Sequence, residues 1–386
     1  ERTCMMRFEP VKTAIIGSGM ISDIYLKNLI ERFSITEVMA CADMVEEKAR
    51  AQAEKYNIRA MTVDQILHDP KIEMVLNLTY ATSHYEISKA VLSAKKHCYS
   101  EKMMCKDIAQ ADELKKIADQ NKVRFCVAPD TFLGASQQTA RWLVDQGMIG
   151  KPLSVSAVLT RSYQLIKSDE DDMRRKFSVM YEQGGIPYDM GGYYLHQMFN
   201  LFGPVARVCG FMRTYGQDRP YLNPRNSHFT ENFRVNTPNM IACAFEFRNG
   251  IYGTFMIGSD YQVMENSFKI YGTEGTLELG DPNNFGDKIY IEKTTGARAE
   301  FPLAHPFCED YRGIGAADMA WGIRTGRPNR LSYEMGRHAL EFIKSVEESA
   351  VNGKTVRLKT KFSRPIPISS EYYPGDSMER NLWLYD

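Results

Sequence analysis

At 386 residues the chain exceeds what a single hydrophobic core usually serves, so two domains are expected. Basic and acidic residues balance at 48 each, which removes the electrostatic case for nucleic acid or an anionic membrane and favours a small neutral ligand. No apolar run approaches membrane-spanning length and the opening ERTCMMRFEP lacks the apolar core of a signal peptide, so a cytoplasmic protein is expected.

The first element, Val11 to Ile30, reads as a buried strand passing through Gly17-Ser18-Gly19 into a helix. Gly17 permits the tight turn, Gly19 lets backbone approach a pyrophosphate, and Met20 and Ile21 open a helix whose dipole favours negative charge. Ser22 stands where a third glycine is usual. The second apolar run, Glu37 to Ala42, ends in Asp43, placed to grip the 2′-hydroxyl of an adenosine ribose. That carboxylate would repel a 2′-phosphate, and residues 44–47 supply no arginine, so NAD is expected over NADP.

Up to Ala128, strand-like runs (TAIIG, EVMACA, EMVLNLT, HCYS, RFCVA) alternate with helix-period segments, the mark of a doubly wound parallel sheet. After Pro129 two-residue alternation dominates, with hairpin punctuation at Asn249-Gly250. The expected class is therefore α/β: a Rossmann domain over 1–130, then an α+β domain over 131–386 with a large, mainly antiparallel open sheet. Helices are predicted at Ala135 to Gln146, Met190 to Phe202, Ile314 to Ile323 and Tyr333 to Asn352, covering one sheet face. The other face is left for solvent or another subunit. The proline-punctuated end, from Arg364, reads as a docking arm or a loose tail. Eight cysteines without a CxxC pair suggest buried, reduced thiols, and no metal site is expected.

Two segments carry candidate chemistry. Glu101-Lys102 follows a strand and so falls at the carboxyl edge of the parallel sheet, where a lysine can reach a substrate hydroxyl. In GGIPYDMGGYYLHQ, from Gly184 to Gln197, the residues Asp189, Tyr193 and His196 are spaced to share one helical face. Oxidising a carbinol requires a base for the hydroxyl proton and a cation for the developing alkoxide, and Tyr193 or His196 can be that base. The alternative is that Tyr193 and His196 pack half-buried while Asp189 caps the helix. The paired glycines at 191 and 192 would weaken a helix interior, which suggests close backbone approach or a ligand.

With these residues in order, the chain resembles the family of glucose-fructose oxidoreductase, inositol dehydrogenase and MocA-like NAD(P)-dependent sugar oxidoreductases. The resemblance runs from Val11 to about Leu358 through GSGMIS, Asn77-Leu78-Thr79 to His84, Glu101-Lys102, GGIPYDMGGYYLH and YGTEGTLEL. It implies a Rossmann domain followed by an open-sheet domain, assembled face to face into homo-oligomers. It also implies cofactor contacts at Asn77, Thr79, His84, Glu101 and Lys102. Lys102 matches the active-site lysine, Asp189 the aspartate that orients substrate. Tyr193 stands where many relatives place a histidine, as in the branch similar to glucose-fructose oxidoreductase and dihydrodiol dehydrogenase. His196 falls where many carry an acidic or amide residue. An unperturbed tyrosine titrates near pH 10, so Tyr193 would need a neighbouring cation, whereas His196 would not. The chain has Met103 in place of the family's proline after Glu-Lys, and no proline between Thr79 and His84.

The expected activity is NAD-dependent oxidation, or the reverse reduction, of a secondary hydroxyl on a sugar, cyclitol or glycoside. Arg161, Tyr163 and Arg174 are candidate substrate contacts, and the segment holding them reads equally as a solvated loop. Two alternatives remain at this stage: an NAD-retaining enzyme that cleaves glycosides through transient oxidation, and a non-catalytic NAD-binding sensor.

Overall fold

A computed structural model describes residues 8–162, 184–221, 223–294 and 296–369. The chain forms two compact units, one drawn from the described residues of Glu1–Ala135, Ala304–Gly336 and Pro365–Asp386, the other from Ser136–Leu303 and Arg337–Arg364.

In the first unit six strands, β1 (Val11–Ile16), β2 (Thr36–Ala42), β3 (Arg59–Ala60), β4 (Met74–Asn77), β5 (His97–Ser100) and β6 (Phe125–Val127), form one sheet in the order β3-β2-β1-β4-β5-β6. Every pairing is parallel. Helices α1 (Met20–Glu31), α2 (Glu46–Tyr56), α3 (Val63–His68), α4 (His84–Ser93) and α5 (Ile108–Asn121) form the crossovers. Because helices cover both faces of such a sheet, its strands are near-continuously apolar, and β4 is buried throughout. α3 starts in a capping box, Thr62 accepting from the Gln65 amide while Gln65 reaches back to Thr62. Asp107 likewise caps α5.

Chain returns complete this unit, which hydrophobic period alone does not reveal. Asn28 on α1 donates to the carbonyls of Asp310 and Arg312 at 2.9 and 2.8 Å. α9 follows at Ile314–Thr325, once α6 (Ala135–Asp145), α7 (Ile186–Asp189) and α8 (Gly191–Phe202) of the intervening chain are counted. Its Asp318, fully buried, pairs with Arg327 at 2.6 Å and Arg330 at 2.8 Å. Arg330 also donates to the carbonyls of Ile366 and Pro367, and Ile368 is buried, so the end of the chain is docked as far as residue 369.

The second unit holds a nine-stranded sheet ordered β16-β15-β14-β13-β7-β12-β11-β8-β17. Its strands are β7 (Pro152–Ser162), β8 (Val205–Arg213), β11 (Met240–Phe247), β12 (Tyr252–Gly258), β13 (Asp260–Gly272), β14 (Gly275–Leu279), β15 (Ile289–Lys293), β16 (Arg298–Phe301) and β17 (Val356–Arg357). The short strands β9 (Asp218–Pro220) and β10 (Asn232–Arg234) pair separately. All neighbours in the large sheet run antiparallel except β7 and β12. Alternation is clean in β11, where Ile241, Cys243, Phe245 and Phe247 are buried and Ala242 and Ala244 are exposed. On the buried face Tyr194 of α8 stacks on Phe255 and Phe268, and Phe245 meets Phe342 of α10 (Tyr333–Asn352) edge-on. The opposite face exposes Phe211 and Tyr252, at 80% and 60%. Among the described cysteines no disulfide forms; Cys41, Cys98, Cys105, Cys126 and Cys243 are buried as expected, whereas Cys209 and Cys308 are exposed, which corrects the expectation for those two. No helix among the described residues is long and apolar enough to cross a membrane.

Candidate functional site

Strand register lines up the first unit's candidate residues. Ala42 pairs with Ile16, Ile16 with Asn77, Asn77 with Ser100 and Ser100 with Val127. The residues that follow, Asp43, Gly17, Leu78, Glu101 and Ala128, therefore leave the sheet along one carboxyl edge. Their amides at 17, 78, 101 and 128 each donate back to a neighbouring strand. With strands about 4.8 Å apart, Glu101 lies roughly 10 Å along the edge from Gly17 and Asp43 about half that on the other side.

The two glycines do different work. Gly17 has φ +104, and a Cβ there would lie 2.5 Å from the Leu78 carbonyl carbon and 2.7 Å from the Thr79 nitrogen. Gly19 has ordinary φ −77 and no heavy atom within 4 Å of a Cβ position, with no side chain capping α1. That open cradle, at a helix start bearing positive dipole, fits a pyrophosphate. Ser22 is buried and returns its hydroxyl to the Gly19 carbonyl at 2.5 Å, which is how a serine fits the close-packed third position. Asp43 accepts from the Ser18 amide at 2.7 Å and the Val45 amide at 2.8 Å, so its carboxylate is fixed beside the loop and half-exposed. Met20 and Ile21 are exposed at the helix start. These residues suit an NAD whose phosphates sit on the Gly19 backbone and whose ribose meets Asp43.

Asn77 and His84 shape the edge from inside. Asn77 is fully buried; its amide donates to the His84 carbonyl and Ser88, and its oxygen accepts from the Thr79 hydroxyl at 2.7 Å. His84, 1% exposed, has Nδ1 2.9 Å from the Met103 carbonyl and Nε2 2.9 Å from that of Thr79, tying two edge loops together. Burial pushes its imidazole below the ordinary range, against the pull of both carbonyls. Thr79, Glu101 and Lys102 are half-buried at the edge itself.

In the second unit the predicted single helical face does not form. Asp189 ends α7, Met190 turns the chain, and α8 starts at Gly191. The glycines thus open a helix instead of interrupting one, and a Cβ on Gly191 would meet only ordinary contacts, 3.9 Å or more away. Asp189 and Tyr193 are half-buried, whereas His196 is 1% exposed, with Nδ1 2.9 Å from the Gly192 carbonyl and its ring 6.1 Å from that of Phe199. Burial pushes its pKa down to about 4, so His196 is packed as a neutral interior residue, and its expectation as a ready base is corrected. Arg161, expected to meet substrate, turns its guanidinium to Asp281 at 2.7 Å and to Asn266. Tyr163 and Arg174 lie outside the described residues.

Sequence reasoning passed over the groups beneath the edge. Tyr25, Tyr99 and Asp130 are all buried, and Asp130 accepts from the amides of Gly313 and Gly315 at 2.9 and 3.0 Å. Burial lifts Asp130 to about 6. The available signal was polar residues within otherwise apolar runs.

An all-parallel six-stranded sheet with an open glycine cradle at its carboxyl edge defines the first unit as a Rossmann domain. Residues 11–128 match the family described as "Oxidoreductase family, NAD-binding Rossmann fold", and 137–278 match that family's C-terminal domain. The chain belongs to the Gfo/Idh/MocA oxidoreductase family. It is 27% identical over 276 residues to an inositol 2-dehydrogenase/D-chiro-inositol 3-dehydrogenase of Lactiplantibacillus plantarum, covering 69% of this chain and 71% of the relative. It is 24% identical over 380 residues to a scyllo-inositol 2-dehydrogenase (NADP(+)) of Bacillus subtilis, covering 92% and 97%. A levoglucosan dehydrogenase in complex with NADH shares the fold, with TM-score 0.78, 18% identity, and coverage of 91% of this chain and all of that one.

Proposed function

We propose that this oxidoreductase is an NAD-dependent dehydrogenase acting on a secondary hydroxyl of a cyclitol or sugar, with Lys102 and Tyr193 handling the hydroxyl proton. The observation that carries this reading is the placement of Lys102 on the same carboxyl edge as the Gly19 cradle and Asp43. NAD, when bound, supplies the two-electron acceptor. The Lys102 ammonium would donate a hydrogen bond to the substrate oxygen and stabilise its negative charge as the O–H bond breaks, while the Tyr193 phenol takes that proton and passes its own to solvent, and Asp189 orients a neighbouring hydroxyl. Burial of His196 supports Tyr193 over it as the proton-handling side chain. The inositol dehydrogenases among the relatives support a cyclitol or sugar of this kind. The exposed sheet face with Phe211 and Tyr252 supports a homo-oligomer joined through it, which Phe211→Asp should weaken in light scattering.

Incubation with NAD and a panel of myo-inositol, scyllo-inositol, glucose and levoglucosan, followed at the absorbance of reduced nicotinamide, tests the reading. At least one polyol should reduce NAD, and Lys102→Ala and Tyr193→Phe should each lower turnover by roughly a hundredfold while NADH still binds. In a double-mutant cycle the two losses should not add, because both act on one hydroxyl. Near-normal turnover in both variants would overturn the assignment.

A further inference from the structure

A buried chain of polar groups runs beneath Lys102. Tyr25, on the inner face of α1 and 1% exposed, donates its hydroxyl to Glu101 Oε1 at 2.7 Å. The other carboxylate oxygen, Oε2, accepts the backbone amide of Lys102 at 3.1 Å. Behind Tyr25, the Tyr99 hydroxyl lies 3.3 Å away, and burial together with the charge of Asp130 holds the Tyr99 phenol well above its ordinary range. Asp130 is held by two amides at the start of α9, where a Cβ on Gly315 would lie 2.8 Å from the Asp130 Cβ.

Packing does not require these hydroxyls, since phenylalanine would fill both sites, and a buried phenol is costly unless bonded. Because Tyr25 gives its hydroxyl proton to Glu101, its oxygen is left to accept from Tyr99, so donation runs from Tyr99 to Tyr25 and on to Glu101. Glu101 is thereby fixed at both oxygens, one to the helix that opens at the Gly19 cradle and one to the backbone entering Lys102.

We propose that Tyr25 is a positioning residue for Lys102: its hydroxyl, acting through the Glu101 carboxylate, sets where the lysine's ammonium is presented at the sheet edge. This rests on the reading of Lys102 as the group that meets the substrate hydroxyl, and it ties the phosphate-binding helix to that lysine through one rigid element. Tyr25→Phe keeps the ring and removes only the donor. Glu101, left with one oxygen unbonded, gains freedom to turn toward the ammonium and pair with it.

The test needs no substrate. Reductive methylation with 13C-formaldehyde labels lysines, and the Lys102 dimethylammonium resonance is assigned by its loss in Lys102→Arg. In Tyr25→Phe the Lys102 resonance should move, and its titration midpoint should rise by about half a pH unit or more, while NADH affinity stays within about threefold. A Lys102 resonance and midpoint unchanged from the unaltered protein would overturn the proposal. Glu101→Gln should displace the same resonance, and adding Tyr25→Phe to it should do nothing further; additive displacement would show that the tyrosine acts by packing and would also overturn it. Should Tyr25→Phe lose NADH binding, Tyr99→Phe decides, since it withdraws the donor behind Tyr25: a shift of the Lys102 resonance supports the proposal and none refutes it. Full turnover in Lys102→Ala would sink the functional reading, yet the resonance in Tyr25→Phe would still report on the tyrosine alone.

Discussion

Substituting alanine at Gly17 and at Gly19 separates folding from cofactor binding within three residues. At position 17 the new Cβ would sit 2.5–2.7 Å from backbone atoms of Leu78 and Thr79, and Leu78 is held by its own amide bond to Ile16 at 2.8 Å. Backbone so anchored cannot swing aside as a side-chain tip would. Positive φ adds about 1–2 kcal/mol for any L-residue and overpacking about 1–3 kcal/mol, so Gly17→Ala should cost about 3 kcal/mol or more. For a unit of this size that is roughly 6–12 °C in Tm. Position 19 has permitted φ and no neighbour within 4 Å, so Gly19→Ala should leave the melting temperature of the protein without nucleotide unchanged. The methyl would occupy the space a pyrophosphate needs, weakening NADH by about 10–100-fold, which corresponds to about 1–3 kcal/mol. Calorimetry without nucleotide and fluorescence titration with NADH read the two effects separately. If Gly19→Ala lowers Tm as much as Gly17→Ala, or binds NADH normally, the division of labour is wrong.

Three further outcomes follow from named contacts. Asp43→Asn keeps an acceptor for the Ser18 amide but removes the charge, so the ratio of NADP to NAD affinity should rise at least about tenfold; an unchanged ratio would remove Asp43 as the discriminator. Asp318→Ala removes the buried carboxylate shared by two buried guanidinium groups and should destabilise by about 3–5 kcal/mol in urea melts, and a loss below about 1 kcal/mol would contradict the triad. His196 has its folded pKa depressed to about 4, so the unfolded chain binds its proton first as pH falls below about 6.5. Its contribution is present above that value and is lost on acidification toward 4, at about 1.4 kcal/mol per pH unit. Between pH 6.5 and 5 the unaltered protein should therefore lose about 2 kcal/mol more stability than His196→Asn, and a difference of the opposite sign would refute it.

Local pattern carried much of this protein. Near-continuous apolar runs separated by helical periods marked the parallel sheet, and strict alternation at Ile241 to Phe247 marked a sheet with one covered face, because these periods follow directly from backbone geometry. Gly17 was readable since turn sterics leave few residue types for its place. His196 was not, for spacing along a helix says nothing of what packs on it, and the break at Met190 turned the expected common face. Arg161 could be placed on a strand end but not matched to Asp281, a partner 120 residues away. Tyr25 and Tyr99 passed as core aromatics because a phenol and a phenyl ring give the same hydrophobic signal.

The return of residues 304–336 to the nucleotide-binding unit makes that unit non-contiguous in the gene. A fragment cut after residue 135 would keep all six strands yet lack the amides of Gly313 and Gly315 that hold Asp130, and the loop that Asn28 grips. Such a fragment would carry an orphaned carboxylate in its interior and an uncovered flank of α1. Exchanging this nucleotide-binding half with that of another protein would therefore require transplanting two separated stretches together, and inheritance by simple end-to-end fusion is disfavoured for this architecture.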